Sequence, residues 1–156
     1  YILNGDHVFG WGWATSTDQL MGGHSVADLS LIHPGADGTK SALEISGEIK
    51  TGFPQPWAGA IWFPGHEPMQ PANLSGKKEL VFRARGTPGD YELLLLSGSG
   101  YIPESASFTV TAKWKAYHIA LAKSFPDADW KHVTYLVFSG GQQGKFKLDL
   151  DQVSLR

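Results

Sequence analysis

Apolar side chains in this chain recur at every second position, in short runs broken by Gly, Pro, Asn, Asp and Ser. Leu43, Ile45 and Ile49 alternate with Glu44, Ser46, Glu48 and Lys50; Leu80, Phe82 and Ala84 alternate with Glu79, Val81, Arg83 and Arg85. Period two is the signature of a strand with one buried and one wet face, and almost nothing here repeats at helical spacing. One wet face per strand implies antiparallel sheets that meet through their dry faces. About nine or ten such runs are predicted, at the spacing of a sandwich. The 19 glycines and 9 prolines are scattered as turn residues. A length of 156 residues suits a single all-β domain over residues 1–156, large enough for a real core.

Taken in order, residues 26–33 read as a first weak strand. Gly47 falls on the buried face of the next run, so a bulge or a close neighbour is expected there. Residues 58–63 read as a strand, and 66–75 as a long loop of the kind that is often functional. Residues 78–86 and 90–97 read as a hairpin around Gly86-Thr87-Pro88-Gly89-Asp90. Leucine lies on both faces of the second arm, and residues 133–138 are apolar on both faces; both features suit central strands. Residues 124–130 read as a loop or at most one helical turn. In the last strand the apolar set moves from even positions (Phe146, Leu148, Leu150) to odd ones (Val153, Leu155). A one-residue slip flips the faces, which places a bulge near Asp151.

Several chemistries are disfavoured. A net charge of -2 with dispersed Lys and Arg argues against nucleic acid and against an anionic membrane surface. There is no cysteine, so neither disulfides nor thiolate metal sites arise. None of the six histidines sits at zinc-ligand spacing. Gly98-Ser99-Gly100 lacks the frame of a nucleophile elbow, and no glycine run carries a phosphate-loop lysine. Glu44 and Glu48 share a strand face about 13 Å apart, beyond the usual reach of a glycosidase pair. Asp149 and Asp151, among Lys145 and Lys147, read as a solvated face. The chain is therefore expected not to be an enzyme. It begins at Tyr1 and reads as a mature or excised module.

Binding is the better expectation. Six tryptophans are present, and several sit beside Gly or Pro or in loops. A flat indole with one open face is a platform for a sugar ring or a partner protein, though sandwich cores also bury tryptophan. Trp57, Trp62 and Tyr101 occupy the most suspect segments, with Asp18, Ser25 and Gln55 as polar groups able to bond hydroxyls. Asp18 and Ser25 flank Met21-Gly22-Gly23, a paired-glycine turn that lets backbone approach closely. That corner is expected to fix the loop carrying Trp11 and Trp13 against the sheet. Asp151, on its bulge, is a candidate calcium ligand together with carbonyls of residues 4–6.

The run Asp18-Gln19-Leu20-Met21-Gly22-Gly23-His24-Ser25 resembles the Asp-x-x-Met-Gly-Gly-x-Ser signature of the complex I intermediate-associated protein family. Residues 42–49, 57–65, 73–86 (ending Arg83-Ala84-Arg85-Gly86) and 144–153 resemble later blocks of that family. The similarity is closer to a bacterial version found as a C-terminal domain on amidohydrolase-type enzymes. The resemblance implies a galactose-binding-like jelly roll, a fold shared with many carbohydrate-binding modules, and no catalytic motif. It also implies that the first Asp of Asp151-Gln152-Val153-Ser154-Leu155 can ligate one structural calcium. The Phe-Glu pair usual near the start of that fold is missing from residues 1–6. The expectation is a non-catalytic accessory module of a secreted or periplasmic bacterial protein, binding carbohydrate. The alternative is a protein-interaction or docking domain, resembling an assembly factor or a domain attached to an amidohydrolase.

Overall fold

The computed structural model describes Ile2, the backbone of residues 3–4 and 7–8, and residues 12–156. Two antiparallel sheets face each other. In the larger, β10 (Lys115–Ala120) pairs with β7 (Glu79–Gly86), and β7 with β12 (Gly144–Leu155). The first half of β12 pairs with β5 (Ala42–Ile49), and β5 with β4 (Val26–Ile32). Near its end β12 also meets β1 (Leu3–Asn4), which pairs with β2 (His7–Val8). The smaller sheet runs β3 (Gly12–Thr17), β6 (Ala58–Phe63), β11 (Val133–Gly140), β8 (Gly89–Ser97) and β9 (Glu104–Val110). One short helix, α1 (Leu121–Ser124), follows β10. This is the all-β sandwich that the alternation implies, of the jelly-roll type that the resemblance implies.

The core is what period two demands. Trp62, Phe138, Leu93 and Val110 come from the smaller sheet, and Ile45, Leu80, Phe82, Leu148 and Leu150 from the larger. Phe82 is the hub: its ring lies 5.1 Å from Phe108, 5.1 Å from Tyr117 and 5.2 Å from Phe138. Edge and stacked contacts of this kind add to the area they bury. Gly47 has a close neighbour, as expected: a Cβ there would lie 2.8 Å from both the Phe146 ring and the Val26 carbonyl. The slip in the last strand is also present. Register shifts between Asp151 and Ser154, and Gln152 takes a left-handed φ of 50°.

Residues 78–97 are not a hairpin. β7 pairs with β10 and β12, whereas β8 pairs with β11 and β9, so the chain changes sheets at Thr87-Pro88. Pro88 has no N–H to close a ladder, and Gly86 and Thr87 bond instead to the Thr111 and Lys147 carbonyls.

The outer face of the larger sheet is not simply solvated either. Asp149 and Asp151 are buried, at 6% and 0% exposure. Glu44, Asp149 and Arg85 lie directly across from one another on β5, β12 and β7. Arg85 Nε donates to Asp149 Oδ2 at 2.9 Å, and its guanidinium lies 4.7 Å over the Trp114 ring. Asp149 Oδ1 is buried and takes no donor from a described residue. The neighbour able to supply one is the Glu44 carboxyl, when it holds its proton. Burial first, then the hydrogen bond and the charge of Asp149, hold the Glu44 pKa above its usual value, against the pull of Lys147 and Arg85. A raised folded pKa gives stability that is present below the unfolded value and lost as pH rises through the folded one. Glu44→Gln supplies a permanent N–H donor. It should match wild type in acid and exceed it by about 1 kcal/mol at neutral pH, read as the difference between two denaturant series across pH.

Candidate functional site

The outer face of the five-stranded sheet is built differently. Ala14, Ile61, Val137, Leu94 and Ser105 form one row across all five strands. Ser16, Gly59, Ser139, Glu92 and Ser107 form the row two residues along. With Phe63 and Tyr135, the apolar members of the first row make a second cluster on the side away from the core. Its floor is recessed: Ile61 and Phe63 are 8% exposed and Val137 2%. The five strands carry no Lys, Arg or His.

Besides the exposed Ser105 and Ser107 hydroxyls, two half-buried polar groups on this face have no hydrogen bond or ion pair among the described residues. They are the half-buried Glu92 carboxylate and the half-buried Tyr135 hydroxyl, and burial raises the pKa of both. Half-buried polar groups with no partner, set in an apolar floor, are what a small-molecule site offers its ligand.

Trp57 stands at one end of the polar row. Its indole N–H donates to Ser16 Oγ at 3.1 Å, and Phe53 meets its ring edge-on at 5.8 Å. The Met-Gly-Gly corner holds it there. Residues Asp18–Met21 form a 3-10 turn that ends on Gly22 at φ 91°. Asp18 is fully buried, and its carboxylate accepts from Ser25 N–H at 2.9 Å, Ser25 Oγ at 2.8 Å and Trp57 N–H at 3.1 Å. Asp18 N–H returns a bond to the Trp57 carbonyl at 3.1 Å. Ser25 Oγ accepts from Lys50 N–H, tying in the end of β5. Gly23 lies against the Asp18 carboxylate so closely that a Cβ would collide with it.

Some sequence expectations therefore change. Asp18 and Ser25 are spent on each other, on Trp57 and on Lys50 N–H, and both are at 0% exposure, out of reach of a sugar on the surface. Trp62 is at 0% exposure in the core, because it shares even parity with Ala58 and Ala60 on the inner face of β6. Gln55 is exposed on the same segment as Trp57. Tyr101 is 94% exposed but lies beyond the far end of β8, on the loop where Gly98 N–H bonds the His132 carbonyl. The length of β11 between Ser139 and Val133, about 20 Å at strand rise, separates it from Trp57. Tyr135 and Glu92 were missed. Their signal was faint: both occupy the outward parity of strands that looked apolar on both faces. Trp13 packs on Phe138 at 5.8 Å, whereas Trp11 lies outside the described residues.

The calcium expectation meets a closed site. Asp151 Oδ2 accepts from Ala36 N–H at 2.8 Å and from the Thr39 hydroxyl, and Oδ1 accepts from Gln152 N–H at 2.8 Å. Calcium takes six to eight oxygens, and here N–H groups point at the oxygens it would need. Among the described residues no group of three or more His, Cys, Asp or Glu is placed to hold a metal ion. The described residues around Asp151 thus do not fit calcium; Gly5 and Asp6 lie outside them.

No protein-family model and no curated protein matches the sequence. Solved structures do match. The family 11 carbohydrate-binding module of a cellulosomal cellulase of Clostridium thermocellum superposes with TM-score 0.73 at 14% identity, over 99% of this chain and 91% of that one. The family 11 module from the same organism, in complex with a β-1,3-1,4-mixed-linked tetrasaccharide, gives 0.70 at 14%, over 96% and 90%. A family 30 module of another cellulosomal cellulase of that organism gives 0.64 at 18%, over 82% and 81%. The chain shares their fold. In this chain that fold supplies a five-stranded face whose two half-buried open polar groups and rim tryptophan come from three different segments: β8, β11 and the approach to β6.

Proposed function

We propose that this chain is a non-catalytic carbohydrate-binding module whose site is the outer face of the five-stranded sheet. The observation that carries the reading is the pairing of an apolar, recessed floor with two partnerless polar groups, Glu92 and Tyr135. Sugar rings present apolar C–H faces and a perimeter of hydroxyls. A floor of Ile61, Val137 and Leu94 suits the former, and a carboxylate, a phenol and a row of serines suit the latter. Trp57, held at the rim by the Asp18 corner, supplies the stacking surface. The mixed-linked tetrasaccharide carried by one structural neighbour supports the ligand class.

Titration of the chain with a panel of soluble glycans tests this. Binding heat together with a change in tryptophan fluorescence is expected for at least one of them, and silence across the panel would sink the reading. Trp57→Ala should weaken that binding about tenfold or more, the scale of losing a tryptophan hot spot.

A second reading has one observation in its favour. Leu20 and Met21 stand side by side on the corner turn, 83% and 66% exposed. They are an apolar point of the kind that meets a protein partner or an attached domain. A module that ignores every glycan, yet binds its neighbouring domain through those two residues, would establish docking instead.

A further inference from the structure

We propose that Glu92 sets the ligand class of this face: it admits uncharged glycans by accepting two neighbouring hydroxyls and turns away glycans that carry carboxylate or sulfate groups. The inference rests on the carbohydrate-binding reading and deepens it. Glu92 projects from β8 opposite Ser139 on one side and Ser107 on the other. Both neighbours are hydroxyl residues, and that of Ser139 is spent on the Ala58 and Gly140 carbonyls. Among the described residues no cation balances the carboxylate. The ionisable side chains of the five strands are Asp90, Glu92, Glu104, Tyr91 and Tyr135, and none of these is positive at any pH. Asp90 accepts from the Thr109 hydroxyl at 2.8 Å and Glu104 from Asp127 N–H at 3.3 Å, which leaves Glu92 as the carboxylate of the sheet without a donor.

An ionised carboxylate is an acceptor only, with two oxygens placed to take two O–H donors at once. Hydroxyls on adjacent sugar carbons offer that pair. The half-buried setting strengthens such bonds, because water competes less. The same setting penalises a second negative charge, since like charges in a poorly hydrated site repel more than they do in water. The charged residues Arg83, Arg85, Lys115, Lys145 and Lys147 all lie on the other sheet and do not offset this. Leaving such a carboxylate unpaired costs the folded chain stability, a recurrent mark of a group kept for its ligand.

The experiment compares wild type with Glu92→Gln by titration calorimetry, using a soluble neutral β-glucan and the carboxymethylated form of the same polymer. Wild type should bind the neutral polymer at least about tenfold more tightly than the anionic one, the scale of a charge-assisted hydrogen bond. Glu92→Gln should weaken neutral binding by a similar factor, and the preference should shrink towards unity. Thermal melts of the unliganded proteins give the second readout: the variant should melt at or above the wild-type temperature. Equal wild-type affinity for the two polymers, or unchanged neutral binding in the variant, overturns the inference while the carbohydrate reading stands. A lower melting temperature also overturns it, by making Glu92 structural. Wild type that binds neither polymer nor any glycan of the wider panel overturns both.

Discussion

Asp18→Ala is expected to destabilise the chain by about 3–5 kcal/mol and to abolish glycan binding at temperatures where the variant is still folded. The side chain is fully buried and its carboxylate accepts three bonds, from Ser25 N–H, Ser25 Oγ and Trp57 N–H. Removing it leaves two buried amides and a hydroxyl without their acceptor, each worth about 1–3 kcal/mol of desolvation penalty before relaxation. The loss spreads, because Ser25 Oγ also accepts from Lys50 N–H and the corner thereby joins the 3-10 turn, β5 and the approach to β6. Binding falls for a separate reason. Trp57 is fixed through its main chain by Asp18, and through its indole N–H by Ser16. Without the carboxylate, Trp57 keeps only the bond of its carbonyl to Asp18 N–H and that of its indole to Ser16, and the ring loses its fixed orientation. Asp18→Asn separates the two effects. It retains one acceptor oxygen but sets an NH2 against a donor, so an intermediate loss of stability is expected. Urea melts give the stability change, and the near-ultraviolet circular dichroism of the folded variants reports Trp57. A variant with wild-type stability would show that water or a shifted backbone satisfies the three donors.

Much of the fold was legible, and the reason lies in parity. The even-to-odd change between Leu150 and Val153 located the slip that Gln152 makes with its left-handed backbone. Gly47 announced a close neighbour by occupying an inward position without a side chain. Parity also contained the answer for Trp62, which alternates with Ala60 and Ala58 into the core; proximity to a proline-rich loop was a weaker guide than phase. Which strands pair is a different kind of information. Gly86 to Asp90 has hairpin chemistry, yet β7 and β8 take their partners from β12 and β11, which lie roughly seventy and forty residues further on, respectively. The turn tolerates either outcome, and long-range packing decides. The candidate site was hidden for the same reason. Ser16, Glu92, Tyr135 and Trp57 share one face through cross-strand neighbours that no local window contains. Asp149 and Asp151 were misjudged because alternation says which side of a sheet a residue faces. It does not say what covers that side, and here Arg85 and the turn at residues 36–38 do so.

Asp151→Ala should cost about 3 kcal/mol or more, and a chelator should leave the wild-type melting temperature where it was. The two measurements belong together because they separate an anchor from a metal ligand. Asp151 joins the bulge of β12 to the 3-10 turn Ala36–Gly38, more than a hundred residues earlier in the chain. It is fully buried, and its donors are Ala36 N–H, the Thr39 hydroxyl and Gln152 N–H. The bond to Gln152 N–H steadies that residue at φ 50°, a backbone region costly for a side chain with a Cβ. Gly35 sits so close to Thr39 Oγ1, the Ser41 carbonyl and Asp151 Oδ2 that a Cβ would collide with all three. Deleting the carboxylate thus orphans two amides, frees the strained bulge and releases the turn in one step. Arg83, across the ladder from Asp151, keeps its 2.7 Å ion pair with Asp37 in the variant, so part of the turn stays tethered and the chain still folds. The carboxylate's acceptor sites are met by the chain's own donors, so no cation is needed to hold the turn. A melting temperature that drops on chelation and recovers with calcium would reverse this assignment. It would mean that residues 5–6, outside the described part, complete a ligand set that displaces the Ala36 and Thr39 donors.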